Sequence, residues 1–261
     1  MPRFALADIP AALLELLPSG ACLEFPPQGM TADVAVAVGH EQSVVVKRCN
    51  HPVYVDWLRR EHVVLSALRG AGLPIPDVLG YVEIDAHSAR DAWLVMSALA
   101  GRSAWNIFLR ASSQTRLAIL RSVGQQLRRL HATPIPAALK ERSNWIERKL
   151  TEARTNLAWC DGTQELLTVL VRTQPPQVPE VLIHGDLTLE NVLIDEAGQV
   201  SLIDWSNAGA GDFRSDVSLA LQTEPETSLA PEEVQAFYDG YGTAPVDEQE
   251  RRWFEQLYEF F

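Results

Sequence analysis

Alternating apolar and polar residues predict a β-sheet in the first part of the chain. Apolar residues alternate with small or polar residues over 32–38, a turn signal occupies 39–41, and an apolar run returns over 43–47. A period of two gives a strand one buried face, so these segments predict a β-hairpin. A second apolar run over 92–96 predicts a further strand.

Apolar residues spaced three or four apart predict helices elsewhere. In the first part these are a short helix over 9–17 and a longer one over 54–68. Later helical patterns cover 117–131, 144–159, 164–172, 231–241 and, at the chain end, 248–261. Among them lie three short β-branched runs, at 181–183, 192–194 and 200–203, with Gly198 placed for a hairpin turn. The pattern predicts a strand-rich first part and a mainly helical second part.

The short strands of the second part flank the most specific chemistry. The motif H-G-D-x-x-x-x-N runs over 184–191, and the string Ile-Asp-Trp follows over 203–205. Phosphoryl transfer needs a carboxylate that orients the attacking hydroxyl, and an amide oxygen and a second carboxylate that hold Mg²⁺. Asp186, Asn191 and Asp204 supply these groups at strand ends or in the loop between strands. Each alone would be an ordinary turn or cap residue, but the spacing of all three favours a phosphotransferase.

These segments, with Gly-Asp-Phe-Arg-Ser-Asp over 211–216, resemble the aminoglycoside phosphotransferase and choline kinase-like family, and most of all its kanamycin kinase branch. The resemblance implies an α+β, two-lobed protein kinase-like fold with a small β-rich N-lobe and a larger, mostly helical C-lobe. The expected N-lobe spans 1–96, the hinge 97–101 and the C-lobe 102–261.

The resemblance also assigns roles in the second part of the chain. It implies that Asp186 is the catalytic base and that Asn191 and Asp204 bind Mg²⁺. His184 is expected to brace the loop rather than act as a base. Asp216 matches a family residue that also braces this loop.

A nucleotide site in the first part follows from the same resemblance. Lys47 ends the hairpin, and it is expected to reach the phosphates of ATP or GTP and to pair with Glu61 on the next helix. Taken alone, Lys47 would face solvent at a strand end and Glu61 would lie on a solvated helix face. The other expected nucleotide contacts come from the Gln-Gly-Met-Thr loop over 28–31 and from the hinge: Thr31, Met96, Ser97 and Leu99.

Composition and net charge limit the classes of partner and the cellular compartment that we expect for the protein. The 261-residue chain has a net charge of −12, which argues against nucleic acid, because nucleic acid requires a basic surface. A cationic small-molecule acceptor is compatible with that charge. No apolar run is long enough to cross a bilayer, and the N-terminal residues lack a secretory pattern. The three cysteines are far apart and predict neither a metal cluster nor a disulfide framework, so a cytoplasmic protein of open oligomeric state is expected.

The last residues give a resemblance that bears on the acceptor. The ending Leu-Tyr-Glu-Phe-Phe is similar to that of the kanamycin kinase branch, where an acidic side chain and the terminal carboxylate bind substrate amines. By this resemblance Glu259 and Phe261, with Asp161 and Glu165, are candidates for binding an aminoglycoside. Trp-Ser-Asn over 205–207 departs from that branch. Two alternatives therefore stay open: a metabolic kinase for an amino alcohol, sugar amine or other hydroxyl compound, and a nucleotide-binding pseudokinase scaffold.

Overall fold

A computed structural model of the chain describes residues 4–26, 31–86, 89–222 and 228–261, with the side chains of 85, 86 and 89 excepted. The chain divides into two compact units. Unit 1 contains the described part of 1–100 together with Ile203–Asn207, and unit 2 contains Gly101–Leu202 and Ala208–Phe261. The predicted hinge over 97–101 stays a prediction.

Unit 1 is built on antiparallel strands: β1 (Cys22–Glu24), β2 (Asp33–Val38), β3 (Ser43–Cys49), β4 (Val78–Ala86) and β5 (Ala89–Ser97). They form one sheet in the order β1-β2-β3-β5-β4. Alternate residues of the β2–β3 hairpin, such as Ala35, Ala37 and Val46, are buried beside Trp93 of β5, which confirms the predicted hairpin. The sequence did not predict β4, because a register shift near Gly80 interrupts its alternation.

Unit 1 also has two α-helices, α1 (Ala11–Leu14) and α2 (Pro52–Leu68), with a 3₁₀ turn at Leu6–Asp8. The first helix is shorter than the predicted 9–17. The second begins at Pro52. An N–H at the first position of a helix has no partner within the helix, so the missing N–H of proline costs no hydrogen bond there. The buried stripe of α2 includes Leu58, Leu65 and, between them, Glu61, which is only 2% exposed. Glu61 therefore does not lie on a solvated helix face.

Unit 2 is mainly helical: α3 (Ala104–Phe108), α4 (Ser113–Ala132), α5 (Trp145–Asn156), α6 (Gln164–Arg172), α7 (Phe213–Leu221), α8 (Pro231–Tyr241) and α9 (Glu248–Tyr258), with a 3₁₀ turn at Ala137–Leu139. The helices α4 and α8 touch through glycines. A Cβ atom at Gly124 would lie 2.2 Å from Phe237 O, and one at Gly240 would lie 2.0 Å from Arg121 O. The sequence did not predict α7, whose residues 214–221 are all buried.

The last helix is fixed in a buried cluster. Trp253, Phe254 and Leu257 of α9 are at most 4% exposed and pack with residues of α5 and α6. The indole Nε1 of Trp253 donates to Leu170 O at 3.1 Å. Each such apolar side chain stabilises the fold by about 2 kcal/mol on burial. The packing of α9 therefore fixes the position of the residues at its C-terminal end.

Short strands complete unit 2: β6 (Arg102–Ser103), β7 (Val181–Ile183), β8 (Val192–Ile194), β9 (Val200–Leu202) and β10 (Gly209–Gly211). The predicted hairpin is formed by β8 and β9, and Gly198 takes a left-handed φ of +78° in its turn. The strand β6 pairs with β8, and β7 pairs with β10. Within the described ranges no helix is both long enough and apolar enough to cross a membrane.

Candidate active site

A buried ion pair joins the end of β3 to α2. Lys47 Nζ donates to both carboxylate oxygens of Glu61 at 2.8 Å, and the two side chains are 12% and 3% exposed. The predicted pair is therefore present. Burial alone would lower the pKa of Lys47, but the negative charges of Asp204 and Glu61 outweigh burial and raise it. Burial raises the pKa of Glu61, and the Lys47 ammonium opposes that rise.

Asp204 belongs to the same cluster in unit 1. Its Oδ1 lies 3.6 Å from Lys47 Nζ, yet its side chain remains 44% exposed. The neighbouring Trp205 is fully buried, and its backbone N–H donates to Glu61 Oε1 at 3.4 Å. Asp204 has a left-handed φ of +66°, which costs a non-glycine residue roughly 1 kcal/mol. Such strain is concentrated at functional sites, and here it accompanies a carboxylate that is open to solvent.

The donor set fits a magnesium nucleotide. Mg²⁺ takes oxygen ligands, and in nucleotide sites one or two protein side chains are completed by phosphate and water. Among the described residues, no three His, Cys, Asp or Glu side chains cluster closely enough to form an all-protein metal cage. The Asp204 carboxylate in unit 1 and the Asn191 amide oxygen in unit 2 are donors of the required kind.

The other predicted nucleotide contacts lie in unit 1. Residues 28–30 of the predicted loop lie outside the described residues, and Thr31 is exposed, with its carbonyl accepting from Cys49 Sγ at 3.6 Å. Met96 is buried in β5, and Leu99 is half-buried. The N–H of Ser97 donates to Asp77 O at 2.9 Å, so a base contact from Ser97 would have to use its carbonyl oxygen. These nucleotide roles stay predictions.

The loop after β7 presents Asp186 in unit 2. Buried Leu187 and Leu189 anchor this loop, which ends in a 3₁₀ turn over Leu189–Asn191. The amide Nδ2 of Asn191 donates to Asp186 O at 2.8 Å and to its Oδ2 at 2.9 Å. Because the amide nitrogen points at Asp186, the amide oxygen is directed elsewhere, as a metal ligand requires.

A second bond reaches Asp186 from the end of the chain. The phenol Oη of Tyr258, in the last turn of α9, donates to Asp186 Oδ1 at 2.5 Å. Both residues are half-buried. Each carboxylate oxygen of Asp186 therefore accepts a hydrogen bond from a neutral donor on unit 2.

Asp216 holds the start of the catalytic loop. Its carboxylate is fully buried and accepts from the backbone N–H of His184 at 2.7 Å and of Gly185 at 2.8 Å. Gly185 has φ +81°, a conformation that glycine adopts without strain. Asp216 thus fixes the backbone directly before Asp186, as the resemblance implied.

His131 extends this support. Its Nε2 lies 3.2 Å from Asp216 Oδ2, and its Nδ1 lies 2.7 Å from Tyr241 Oη. Because a carboxylate only accepts, Nε2 is the donor to Asp216. The sequence analysis singled out neither His131 nor Tyr258 as a site residue. No local spacing rule links either residue to a loop 50 or more positions away in the chain.

Three of the four predicted acceptor-binding residues lie at one place on unit 2. The N–H of Gly162, next to Asp161, donates to Glu259 O at 2.9 Å, and Phe261 follows two residues later. Asp161 and Glu259 are exposed, as is Glu165 in the first turn of α6. Lys149 Nζ lies 4.2 Å from the centre of the Phe261 ring, so this surface also carries one positive charge.

Comparison with known proteins identifies the family to which the chain belongs. The chain belongs to the phosphotransferase enzyme family, whose profile matches residues 23–254. It is 29% identical over 225 residues to an aminoglycoside 3'-phosphotransferase of Streptomyces fradiae, with 79% of this chain and 77% of that protein covered. An aminoglycoside 3'-phosphotransferase of Niallia circulans is 28% identical over 216 residues, with 78% and 79% covered.

Solved structures agree on the fold. A thermostable mutant of aminoglycoside phosphotransferase APH(4)-Ia in its apo form matches with a TM-score of 0.67 at 17% identity, covering 94% of this chain and 87% of that one. At this identity the match speaks for the fold alone. The predicted family and the predicted α+β, protein kinase-like fold are both confirmed.

Proposed function

We propose that this protein transfers the γ-phosphoryl group of ATP or GTP to a hydroxyl of an aminoglycoside, with Mg²⁺. The observation that carries the proposal is the Asp186 carboxylate, held by Asn191 in a loop whose backbone Asp216 fixes. Family membership and the similarity to two aminoglycoside 3'-phosphotransferases support the acceptor class.

In the proposed reaction, Asp186 accepts a hydrogen bond from the acceptor hydroxyl and directs its oxygen at the γ-phosphorus. The new oxygen–phosphorus bond forms as the bond to the β-phosphate oxygen breaks, and the hydroxyl proton passes to Asp186. A positioned general base contributes about 10²- to 10⁴-fold to such a step. The products are the phosphorylated acceptor and the nucleoside diphosphate.

The unit 1 cluster is proposed to bind the nucleotide. Lys47, which is paired with Glu61 and lies near Asp204, would contact phosphate oxygens. Asp204 and Asn191 would each supply an oxygen ligand to the metal ion. When bound, Mg²⁺ neutralises charge on the phosphate oxygens. Lys47 is suited to this role because the surrounding carboxylates keep it protonated.

A cationic acceptor is proposed to bind at the exposed acidic residues near the chain end. Asp161 and Glu259 lie on segments joined by the Gly162–Glu259 backbone bond. Carboxylates recognise ammonium groups through charge-assisted hydrogen bonds. Lys149 beside Phe261 opposes binding of cations there, so the acidic side chains on this surface are expected to set the affinity.

The test is a coupled nucleotide-turnover assay with Mg²⁺ on the purified protein and on Asp186→Asn. The acceptor panel contains kanamycin, neomycin, streptomycin, a macrolide, choline and homoserine. Aminoglycoside-dependent turnover that is lost in Asp186→Asn supports the proposal. Turnover only with choline or homoserine points instead to a metabolic kinase, and nucleotide binding without turnover on any acceptor points to a scaffold.

A further inference from the structure

A hydroxyl of the protein itself already makes the kind of hydrogen bond that the proposed acceptor hydroxyl would make to Asp186. The phenol of Tyr258 donates to Asp186 Oδ1 at 2.5 Å, while Asn191 donates to the other oxygen. A short O–H···O⁻ bond of this kind is charge-assisted and strong. The substrate hydroxyl must make the same bond to the same carboxylate before it reacts.

The backbone of Tyr258 is firmly held. Leu257 is 2% exposed and Phe260 is fully buried, so the residues around Tyr258 are anchored in the core of unit 2. Two further bonds fix the chain end: Gly162 N–H donates to Glu259 O at 2.9 Å, and Asn156 Nδ2 donates to Phe260 O at 2.8 Å. The phenol is therefore presented to Asp186 by a fixed helix end.

We infer that Tyr258 is a positioning residue that guards Asp186 against water. Its hydroxyl fixes the carboxylate and fills the acceptor position until the acceptor hydroxyl replaces it at Oδ1. This inference rests on the proposed function, in which Asp186 is the base. It assigns to Tyr258 a role in choosing the acceptor over solvent.

The guarded side reaction is nucleotide hydrolysis. Water placed at Asp186 Oδ1 would attack the γ-phosphorus: its oxygen bonds to phosphorus, the bond to the β-phosphate oxygen breaks, and a proton passes to Asp186. The products are the nucleoside diphosphate and inorganic phosphate. A bound hydroxyl at Oδ1 prevents this by occupying the place that water needs.

Tyr258→Phe tests the guard, because it removes one oxygen and keeps the ring. Without acceptor, hydrolysis of Mg–ATP and Mg–GTP is expected to rise about fivefold to tenfold, the factor typical of one lost hydrogen bond. At saturating acceptor, kcat is expected to stay within about twofold of the wild-type value, because the acceptor hydroxyl then occupies Oδ1 in place of the phenol.

Two further variants make the result specific. Tyr238→Phe makes the same deletion on α8, where the phenol oxygen accepts from Val246 N–H at 3.1 Å; hydrolysis without acceptor is expected to stay at the wild-type rate. Tyr258→Phe combined with Asp186→Asn is expected to lose the added hydrolysis. A thermal melt of each variant checks that the fold is retained.

The outcomes separate the guard from the proposed function. If Tyr258→Phe hydrolyses nucleotide at the wild-type rate while acceptor turnover persists, the guard is wrong and the kinase proposal stands. If neither wild type nor variant binds or turns over nucleotide, the kinase proposal fails and the guard with it.

Discussion

The side chains predicted to be functional are held by charged groups in unit 1 and by neutral hydrogen-bond donors in unit 2. In unit 1, Lys47 lies between the carboxylates of Glu61 and Asp204, so the site is a cluster of charges. In unit 2, Asp186 is one charge whose two oxygens accept from an amide and a phenol. The first arrangement suits a polyanion and its metal ion. The second fixes the direction of a single carboxylate, as the proposed role of Asp186 as a base requires.

This difference also predicts how each site responds to mutation. Removing one partner of a buried ion pair leaves an uncompensated charge and costs about 3–5 kcal/mol of stability. Losing one hydrogen bond to a charged carboxylate costs about 1.5–3 kcal/mol. Changes in the unit 1 cluster should therefore alter stability and binding together, whereas changes at Asp186 should alter catalysis with a smaller effect on stability.

The largest expected effect is on turnover in Asp186→Asn. We expect kcat to fall about 10²- to 10⁴-fold, because the amide cannot accept the proton. Asp195→Asn is the matched control, since its carboxylate caps the β8–β9 turn by accepting from Gln199 N–H. Steady-state kinetics of both proteins measure the effect, and a rate within about threefold of wild type in Asp186→Asn would exclude this residue as the base.

Next in size is the stability of the unit 1 pair. Lys47→Met should lower the free energy of unfolding by about 3 kcal/mol, because Glu61 is left buried without its partner. The double variant Lys47→Met/Glu61→Leu should recover most of that loss, although nucleotide affinity stays low. Denaturant unfolding measures both. Equal stability of the single and double variants would show that the pair is not a coupled, buried one.

A third test asks whether a charged cluster elsewhere in unit 1, around Glu83, affects nucleotide binding. Glu83 accepts from Arg59, Arg90 and Tyr81, and these bonds, chiefly the one from Arg59, lower its pKa to about 2. A depressed pKa stabilises the fold above the unfolded value near 4.5 and loses that effect as the pH falls towards about 2.

Glu83→Gln should therefore lower the free energy of unfolding by about 1 kcal/mol at neutral pH, after allowance for solvent screening, and flatten its decline in acid. Nucleotide affinity should stay unchanged. Asp239→Asn, which removes an exposed pair with Arg121, serves as the control and should change neither quantity measurably. A fall in nucleotide affinity in Glu83→Gln would show that nucleotide binding in unit 1 also depends on charges outside the Lys47–Glu61–Asp204 cluster.

The smallest expected effect concerns the acceptor surface of unit 2. Glu259→Gln should raise KM for a cationic acceptor by about twofold to fivefold and leave kcat unchanged, as expected for an exposed charge pair. Glu196→Gln, in the exposed β8–β9 turn, is the matched control. An unchanged KM would remove Glu259 from the acceptor surface.

Local sequence patterns were sufficient to predict the β2–β3 hairpin and the β8–β9 hairpin, because a period of two and the turn signals encode both of them. The Lys47–Glu61 pair was predicted from the family resemblance, and the structure contains it. By contrast, β4 was missed because a bulge breaks its alternation, and α7 because it is buried all round. Tyr258 lies 72 residues from Asp186, and only the packing of α9 brings the two together.

Calorimetry of ADP and GDP binding to Asp186→Asn and to Lys47→Met/Glu61→Leu, with turnover measured alongside, tests whether unit 1 binds nucleotide and Asp186 accepts the proton. We expect wild-type affinity with kcat lowered about 10²- to 10⁴-fold in the first variant, and loss of affinity in the second. Equal loss of nucleotide affinity in both variants would contradict this division of roles.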